Sequence, residues 1–311
     1  MSGKSGAAPG EEATAELDAT DIQKGWEALQ TKVGRVAARH VTVAWGARSD
    51  IGRARENNED KFDFYLPDDP ATLASHGRLW AVADGMGGHN AGQVASEAAL
   101  KTILRTYFAA PARGTDVATN LRAAFADANA LIARAAAQFP ERGGMGTTAT
   151  VAVIRNATLT IGHVGDSRAY LLRGDEGEVR QITDDHSWVE EQVRRGGLTR
   201  AEAEGSPYRN VITRSVGMEG TLETDIVRES LRPSDVLLLC SDGLSGYLDG
   251  PALRPYLLAA RVNPSQAALA LIDAANDAGG RDNITALLLV VRSVEEEEEG
   301  AGSLGTERAT S

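Results

Sequence analysis

The sequence has a single cysteine, few aromatic residues and no long apolar run. Cys240 is the one cysteine among 311 residues, and aromatic residues make up 5% of the chain. One cysteine excludes an internal disulfide and is typical of a reducing compartment. No run approaches the roughly 18–20 apolar residues that span a bilayer, and the N-terminus lacks the apolar stretch of a secretion signal. These absences predict a cytoplasmic protein with no membrane partner.

Basic residues are outnumbered as well. Lys and Arg number 32 against 44 Asp and Glu, which gives a formal net charge of −12 at pH 7. This excess of negative charge disfavours a nucleic-acid partner, because phosphate groups would be repelled. What the chain does have is 42% hydrophobic residues, which is enough for a substantial core at this length.

The residue pattern divides the chain into three segments. Residues 1–40 form an N-terminal extension whose apolar residues recur at helical spacing over 21–38. They predict an amphipathic helix that either packs on the core or docks a partner. Residues 41–293 contain neither an internal repeat nor a linker, and we predict that they form one domain. Residues 294–311 include five consecutive glutamates and are predicted to form a disordered acidic tail.

Strand and helix patterns within 41–293 favour an α+β fold. Ala-rich helical patterns run over about 93–108 and 118–138, and shorter helices are expected after Asp185 and Pro264. The strand patterns cluster together, which favours α+β over a parallel sheet that alternates with helices. Strands are predicted near 41–47, 79–83, 147–154, 158–164, 168–173, 236–241 and 284–292.

Five aspartates stand at the ends of apolar runs, and several of them precede Gly or Asn. They are Asp60, Asp84, Asp166, Asp242 and Asp282. A carboxylate at the end of a buried strand is costly to desolvate unless a cation or hydrogen bonds compensate it. Five such residues, far apart in sequence, predict carboxylates that converge on bound metal.

The residue types favour hard divalent ions over zinc. Mg²⁺ and Mn²⁺ take oxygen ligands and keep several waters, whereas zinc sites use His and Cys clusters that this sequence does not have. The glycines after Asp84 and Asp242 let the backbone approach an ion closely. Two hard ions about 4 Å apart are a common arrangement for phosphate-ester hydrolysis. Arg55, five residues before Asp60, is a candidate for holding the phosphate.

Six short motifs follow one another along the chain: SDIGRARENNED (49–60), AVADGMGGH (81–89), GMGTT (144–148), GDSR (165–168), CSDGL (240–244) and GRDN (280–283). In this order they resemble the motifs of the metal-dependent protein serine/threonine phosphatases of the type 2C class in their bacterial form. The resemblance covers roughly 41–293 and leaves both ends unexplained. A lone Asp-Gly is weak evidence, whereas six motifs in order are strong.

The resemblance implies a central antiparallel β-sandwich flanked by helices, in four α-β-β-α layers, with two Mn²⁺ or Mg²⁺ ions at one end. It implies that Asp84 bridges the two ions and that Asp242 and Asp282 complete the site of one of them. The carbonyl of Gly85 would reach the other ion, and Asp60 would contact that ion through water.

Further positions match the family's motifs. Asp166 matches the position that, with Asp242, holds a third and weaker ion in bacterial members. Arg55 matches the residue that binds the substrate phosphate, and Glu59 stands beside the metal ligand Asp60. Residues 196–210 take the place of the family's mobile flap, which influences substrate choice.

The resemblance also implies the activity: hydrolysis of phosphoserine and phosphothreonine in proteins by direct attack of a water that bridges the ions. The partners would be phosphorylated proteins, including a Ser/Thr kinase or its targets. Some members carry a His directly after the Asp-Gly as the proposed general acid. Met86 stands there in this sequence, and His89 lies three residues on. We favour a metal-bound water as the proton donor.

Two other functions share part of this pattern. A non-catalytic regulator would bind phosphoproteins without hydrolysing them, but the complete acidic set argues against it. A metal-dependent phosphodiesterase or nuclease uses the same two-metal logic, and the acidic composition without a basic groove disfavours it.

Three simpler interpretations concern residues near the motifs. Cys240 is predicted to be a core residue, because Gly246 stands where a cysteine-dependent phosphatase has its arginine. Asp184 and Asp185 are predicted to cap a helix start. Arg214 is predicted to support local structure.

Overall fold

The fold is built mainly from antiparallel strands. A computed structural model describes residues 39–87, 91–111, 116–139, 143–174 and 177–296. The strands in these residues are β1 (Arg39–Asp50), β2 (Lys61–Tyr65), β3 (Arg78–Ala83), β4 (Gly85–Met86), β5 (Gly146–Thr147), β6 (Ala149–Arg155), β7 (Thr158–Val164), β8 (Arg168–Leu172), β9 (Val179–Gln181), β10 (Asp225–Ser230), β11 (Val236–Cys240) and β12 (Ile284–Glu296).

Helices of very different length connect these strands. Two long ones follow β4 directly in the sequence, and the others lie in the second half of the chain or before β3. The helices of the described residues are α1 (Pro70–His76), α2 (Ala91–Ala109), α3 (Val117–Gln138), α4 (Trp188–Arg194), α5 (Arg200–Glu204), α6 (Asp242–Ser245), α7 (Gly250–Ala260) and α8 (Pro264–Asp277).

Ten of these strands form two five-stranded sheets. One sheet has the order β1-β12-β11-β8-β9 and the other β10-β7-β6-β3-β2, and every pairing is antiparallel. The short strands β4 and β5 pair separately, with Gly85 opposite Thr147.

Alternation along the strands explains why both faces of each sheet are buried. In β3, Leu79, Ala81 and Ala83 pack in a cluster with α2 and α3, whereas Trp80 and Val82 pack in a second cluster between the sheets. Successive side chains of a strand point to opposite faces, so an unbroken apolar run serves two cores at once.

The other sheet divides its side chains in the same way. Leu237 and Leu239 of β11 join the cluster between the sheets, and Leu238 and Cys240 join a third cluster with α7 and α8. Three clusters therefore lie between four layers, helices–sheet–sheet–helices. This confirms the predicted α+β class with its central antiparallel sandwich.

Local sequence accounts for the main helix boundaries. Asp116 caps α3 by accepting the Thr119 N–H at 2.7 Å. Asn263 caps α8, and Pro264 occupies the first turn, where its missing N–H leaves no bond unmade.

Some elements were absent from the sequence prediction, and others extend beyond it. Strands β2, β4, β9 and β10 and helices α1, α5, α6 and α7 were not predicted. The first strand begins at Arg39 and the last ends at Glu296, outside the predicted bounds of 41–293. The helix predicted over 21–38 and His89 lie outside the described residues, as does the tail beyond Glu296.

The helices of the described residues include none with the length and apolar character of a membrane span.

Candidate metal centre

The five aspartates lie at strand ends on one edge of the sandwich. Lys61, the first residue of β2, pairs with Ala83, the last residue of β3. Asp60 before β2 and Asp84 after β3 therefore lie at the same end of that sheet. In the other sheet, Cys240 of β11 pairs with Ala286 of β12, which brings the neighbouring Asp242 and Asp282 to the same region. Asp166 lies between β7 and β8, where the chain crosses from one sheet to the other.

Asp84 occupies the centre of this acidic group. Burial raises the pKa of its carboxyl well above the usual value, and the negative charges of Asp60, Asp242, Asp166 and Asp282 raise it further. Protonation, a nearby cation or hydrogen bonds to the charged form can stabilise a carboxylate that four others repel. The structure thus brings together all five of the aspartates that the sequence singles out.

Asp60 and Asp166 are the most deeply buried members, with 1% and 8% of their surface exposed. Ser241 Oγ donates to Asp60 Oδ2 at 2.6 Å, but Asp60 Oδ1 and Asp166 Oδ1 are buried without a hydrogen-bond partner in the described part of the chain. Burial, as the largest cause, raises the pKa of Asp60 to about 7 and that of Asp166 to about 8.

These features fit a centre for hard divalent ions. Buried acceptor oxygens without partners are rare in folded proteins because each one costs free energy, and a cation would satisfy them. Among the described residues, no three His, Cys, Asp or Glu side chains form a cage that holds an ion by themselves. A hard ion such as Mg²⁺ does not need a cage made wholly of protein, because it keeps several waters among its ligands.

The glycines after Asp84 and Asp242 are required by the protein's own backbone. A Cβ on Gly85 would lie 2.1 Å from the Gly92 carbonyl oxygen, and a Cβ on Gly243 would lie 2.0 Å from that of Asn283. Such distances are far below van der Waals contact, so no other residue fits without backbone movement. The glycines let α2 and the start of β12 approach the acidic group.

Arg55 lies beside the acidic group and is half exposed. Its Nη2 donates to Asp282 Oδ2 at 2.7 Å, and its side chain keeps 52% of its surface exposed. The bond to Asp282 is the main cause that raises the Arg55 pKa, and Glu59 and Asp84 add to it. A cationic group therefore faces solvent at the edge of the carboxylate group, where an anionic substrate would meet it.

Comparison with known proteins identifies the family. The profile of the family Protein phosphatase 2C matches residues 47–194. The serine/threonine phosphatase stp of Listeria innocua is 37% identical over 244 residues, which are 78% of this chain and 93% of that protein. The chain belongs to the protein phosphatase 2C family.

Solved structures of the family share the fold. A serine/threonine phosphatase of S. agalactiae is 32% identical, with a TM-score of 0.73 over 81% of this chain and 100% of that one. The catalytic domain of the phosphatase PstP, solved with two manganese ions, is 34% identical with a TM-score of 0.68, over 82% of this chain and 100% of that one. The family resemblance stated from the motifs is confirmed.

Several residues that support this family member's acidic group carried no role in the sequence interpretation. Thr147 Oγ1 donates to the Asp84 carbonyl at 2.8 Å, and the Asp84 N–H donates to Thr148 Oγ1 at 2.9 Å. Ser241 Oγ, besides binding Asp60, accepts the Thr285 N–H at 2.9 Å. The GMGTT motif and the Ser before Asp242 were visible signals, but their partners lie up to 181 residues away.

The segment that leads into α4 differs from the prediction. Ser187 caps this helix by accepting the Glu190 N–H, so the prediction that Asp184 and Asp185 form the cap was wrong. Asp185 instead accepts bonds from two nitrogens of Arg168, from Nε at 3.0 Å and from Nη2 at 2.7 Å. A bidentate pair with a guanidinium is stronger than a cap bond to a neutral N–H, which explains the choice.

Residues 196–210, which take the position of the flap, and Arg214 follow α4 in the sequence. Residues 196–210 contain α5, and Thr199 and Glu202 form a capping box at its start. Arg214 Nη1 donates to Asp225 Oδ1 at 2.7 Å, and the ring of His186 contacts the same carboxylate. Arg214 therefore ties the end of the α4–α5 region to β10.

Proposed function

We propose that this chain is a metal-dependent protein serine/threonine phosphatase that hydrolyses phosphoserine and phosphothreonine in proteins. One observation carries the proposal: five carboxylates converge at one end of the sandwich, with buried oxygens that lack partners among the described residues and an exposed arginine beside them. Relatives of Listeria that this chain matches over most of their length are named serine/threonine phosphatases.

The positions of the aspartates within the acidic group indicate which residues would hold each ion. Asp84, which interacts with all four other aspartates, is proposed to bridge two ions. Asp242 and Asp282 are proposed for one of these ions, and the Gly85 carbonyl and Asp60 for the other. When bound, two Mn²⁺ or Mg²⁺ ions lower the pKa of a water and neutralise charge on the phosphoryl group.

Asp166 is proposed for a third ion. It interacts electrostatically with Asp242, which would share that ion, and its buried Oδ1 has no partner in the described residues. Its neighbour Arg168 is occupied by Asp185 and leaves that oxygen available.

The chain's own side chains bind and orient the substrate. Arg55 is proposed to hold the phosphate oxygens, since a guanidinium matches a tetrahedral oxyanion with two parallel N–H groups. Cys240 is fully buried, and burial raises the pKa of its thiol to about 12, so it is not a nucleophile. We therefore propose direct transfer of the phosphoryl group to water, without a covalent phospho-enzyme.

The partners are phosphorylated proteins. A Ser/Thr kinase, or the proteins that such a kinase modifies, is the proposed source of these substrates. We also propose a cytoplasmic location, because thiols are kept reduced there and one cysteine forms no internal disulfide.

Phosphate release from a phosphothreonine peptide tests the function. We expect release with Mn²⁺, none with EDTA, and no hydrolysis of a cyclic nucleotide or of DNA under the same conditions. Asp84→Asn should abolish release, because the amide cannot balance the charge of two cations. Asp273→Asn, on the exposed face of α8, is the matched control and should keep full activity. Full activity of Asp84→Asn would contradict the assignment, and a folded protein without activity would favour a regulator that only binds phosphoproteins.

A further inference from the structure

Asn283 follows Asp282 directly, and no function has been assigned to its side chain. It stands just before β12 and keeps only 5% of its surface exposed. A buried amide must find partners for two N–H groups and one carbonyl oxygen. Its partners show which part of the molecule it serves.

All three of these side-chain groups bind the segment that carries Arg55. Asn283 Nδ2 donates to the carbonyl oxygens of Ile51 and Asn57, both at 2.9 Å. Asn283 Oδ1 accepts the N–H of Glu59 at 2.8 Å. The segment between Asp50 and Lys61 forms neither a helix nor a strand, so such side-chain bonds take the place of a regular backbone ladder.

The bonded positions lie on both sides of Arg55. Ile51 is four residues before it and Asn57 two residues after it, so one amide joins the two ends of the loop. The Arg53 N–H, which donates to the Gly280 carbonyl at 2.6 Å, adds a backbone bond before Arg55. Arg55 itself reaches Asp282, the residue next to Asn283. The loop, its arginine and the strand end are therefore held at one place.

We propose that Asn283 is a positioning residue that fixes the Arg55 loop and thereby sets the affinity of the site for phosphate. The proposal rests on the proposed function, because it takes Arg55 as the group that binds the substrate phosphate. An arginine on a closed loop loses less conformational freedom when it binds an anion than one on an open loop. The amide is required, since a carboxylate at this position has no N–H to donate and would repel both carbonyl oxygens.

A double-mutant cycle between Asn283 and Arg55 tests this. The probe is inorganic phosphate, and its Kd is measured by calorimetry on the full chain with saturating Mn²⁺. Asn283→Ala and Asn283→Asp should each weaken phosphate binding about tenfold, the size of one coupled contact. In the Arg55→Ala background the same changes should have less than about a twofold effect, because the residue through which Asn283 acts is gone.

A buried asparagine elsewhere provides the matched control. Asn129 donates from Nδ2 to the carbonyls of Met218 and Gly220 and accepts the Gly217 N–H. It makes the same three kinds of bond to a loop that does not carry Arg55. Asn129→Ala should lower stability to urea by a similar amount and leave the Kd for phosphate unchanged. A merely structural role for Asn283 predicts that both variants behave alike.

The possible outcomes separate the role of Arg55 in phosphate binding from the positioning role of Asn283. If Arg55→Ala leaves phosphate binding unchanged, the proposed role of Arg55 fails. If Arg55→Ala weakens binding but Asn283→Ala does not, or does so equally in both backgrounds, the positioning role is overturned and the rest of the proposed function stands. If neither Asn283 variant folds, hydrogen exchange of the Glu59 amide in the wild-type protein decides: slow exchange supports the closed loop, and exchange as fast as in an unfolded peptide overturns it.

Discussion

At the scale of single residues, the acidic group is arranged for binding cations rather than for stability. Asp84 is repelled by four other carboxylates, and Asp60 and Asp166 each bury an oxygen that has no partner in the described residues. Among the described residues, Arg55 forms an ion pair with one of the five carboxylates, that of Asp282, and Lys61 Nζ donates to the main-chain carbonyl of Asp60. Ser241 Oγ, which donates to Asp60, and Thr148 Oγ1, which accepts the Asp84 N–H, are neutral hydroxyls that hold these residues in place without cancelling their charge.

Replacing the one bonded arginine should separate binding from turnover. Arg55→Ala should raise KM for a phosphothreonine peptide about 10–100-fold, because hydrogen bonds to a charged group contribute about 1.5–3 kcal/mol. The value of kcat should change much less, as expected when ground-state binding is lost. Steady-state kinetics with Mn²⁺ measure both constants. Arg48→Ala, an exposed arginine of β1, is the control, and an unchanged KM in Arg55→Ala would contradict the phosphate role.

The sequence pattern predicted the charged residues of the site but not the polar residues that hold them in place, and the difference has a physical reason. An aspartate at the end of an apolar run is costly to bury, so its position alone indicates a function. Ser241 and Asn283, in contrast, are ordinary polar residues in the sequence. Their roles arise from bonds to Asp60 and to the Arg55 loop, which lie 181 and more residues away. Only the folded chain shows such pairs.

At the scale of elements, the approach of helix to strand end depends on small residues. Gly85 of β4 and Gly92 of α2 meet with no space for a side chain, and a Cβ on Gly92 would lie 2.6 Å from Glu59 Oε2. The start of α2 is therefore close to the metal ligand candidates. This contact joins the helix layer to the sheet edge at the acidic group.

A single methyl group at this contact should disrupt the site. In Gly85→Ala the Cβ would lie 2.1 Å from the Gly92 oxygen, so β4 or α2 must move. We expect a loss of about 1–3 kcal/mol of unfolding free energy, as for other overpacked positions, together with weaker Mn²⁺ binding. Urea unfolding and calorimetry measure the two effects. Gly205→Ala is the control, because its nearest neighbour would be 3.8 Å away. Equal behaviour of the two variants would show that the contact is not tight.

The elements that the sequence did not predict have weak or conflicting local signals. β2 and β10 are the edge strands of their sheet, and β10 has the mixed sequence DIVRES, which lacks a clean apolar face. Helix α7 contains Pro255, which normally argues against a helix interior. Its burial comes from Leu253 and Leu257, which pack in the cluster with α8. The central strands β3 and β11, apolar on both faces, were predicted because tertiary burial and local pattern agree there.

For the whole molecule the net charge is −12, and part of this charge is concentrated in the five aspartates of the acidic group. Repulsion among these aspartates opposes folding when no cation balances their charge. The folded-state pKa of Asp60 is raised to about 7 and that of Asp166 to about 8, above the ordinary value of 3.8. Protons therefore bind these groups more tightly in the folded chain than in the unfolded one. The stability that protonation provides is present at low pH and is lost as pH rises through these values.

Thermal unfolding at several pH values should show this loss. With EDTA, Tm should fall as the pH is raised from about 5 to about 8.5, across the window set by the two raised pKa values. With saturating Mn²⁺ the fall should be smaller or reversed, because the ion binds the ionised carboxylates of the folded state. A Tm in EDTA that rises steadily over this range would contradict the crowding of carboxylates in the metal-free protein.

Mn²⁺ titration calorimetry of the wild-type chain, Asp84→Asn and Asp273→Asn tests whether these five aspartates form one metal centre. We expect the wild type and Asp273→Asn to bind at least two ions per chain with equal affinity. Asp84→Asn should remain folded and lose high-affinity binding, because the group that interacts with all four other carboxylates has become neutral. Unchanged Mn²⁺ binding in Asp84→Asn would contradict the account.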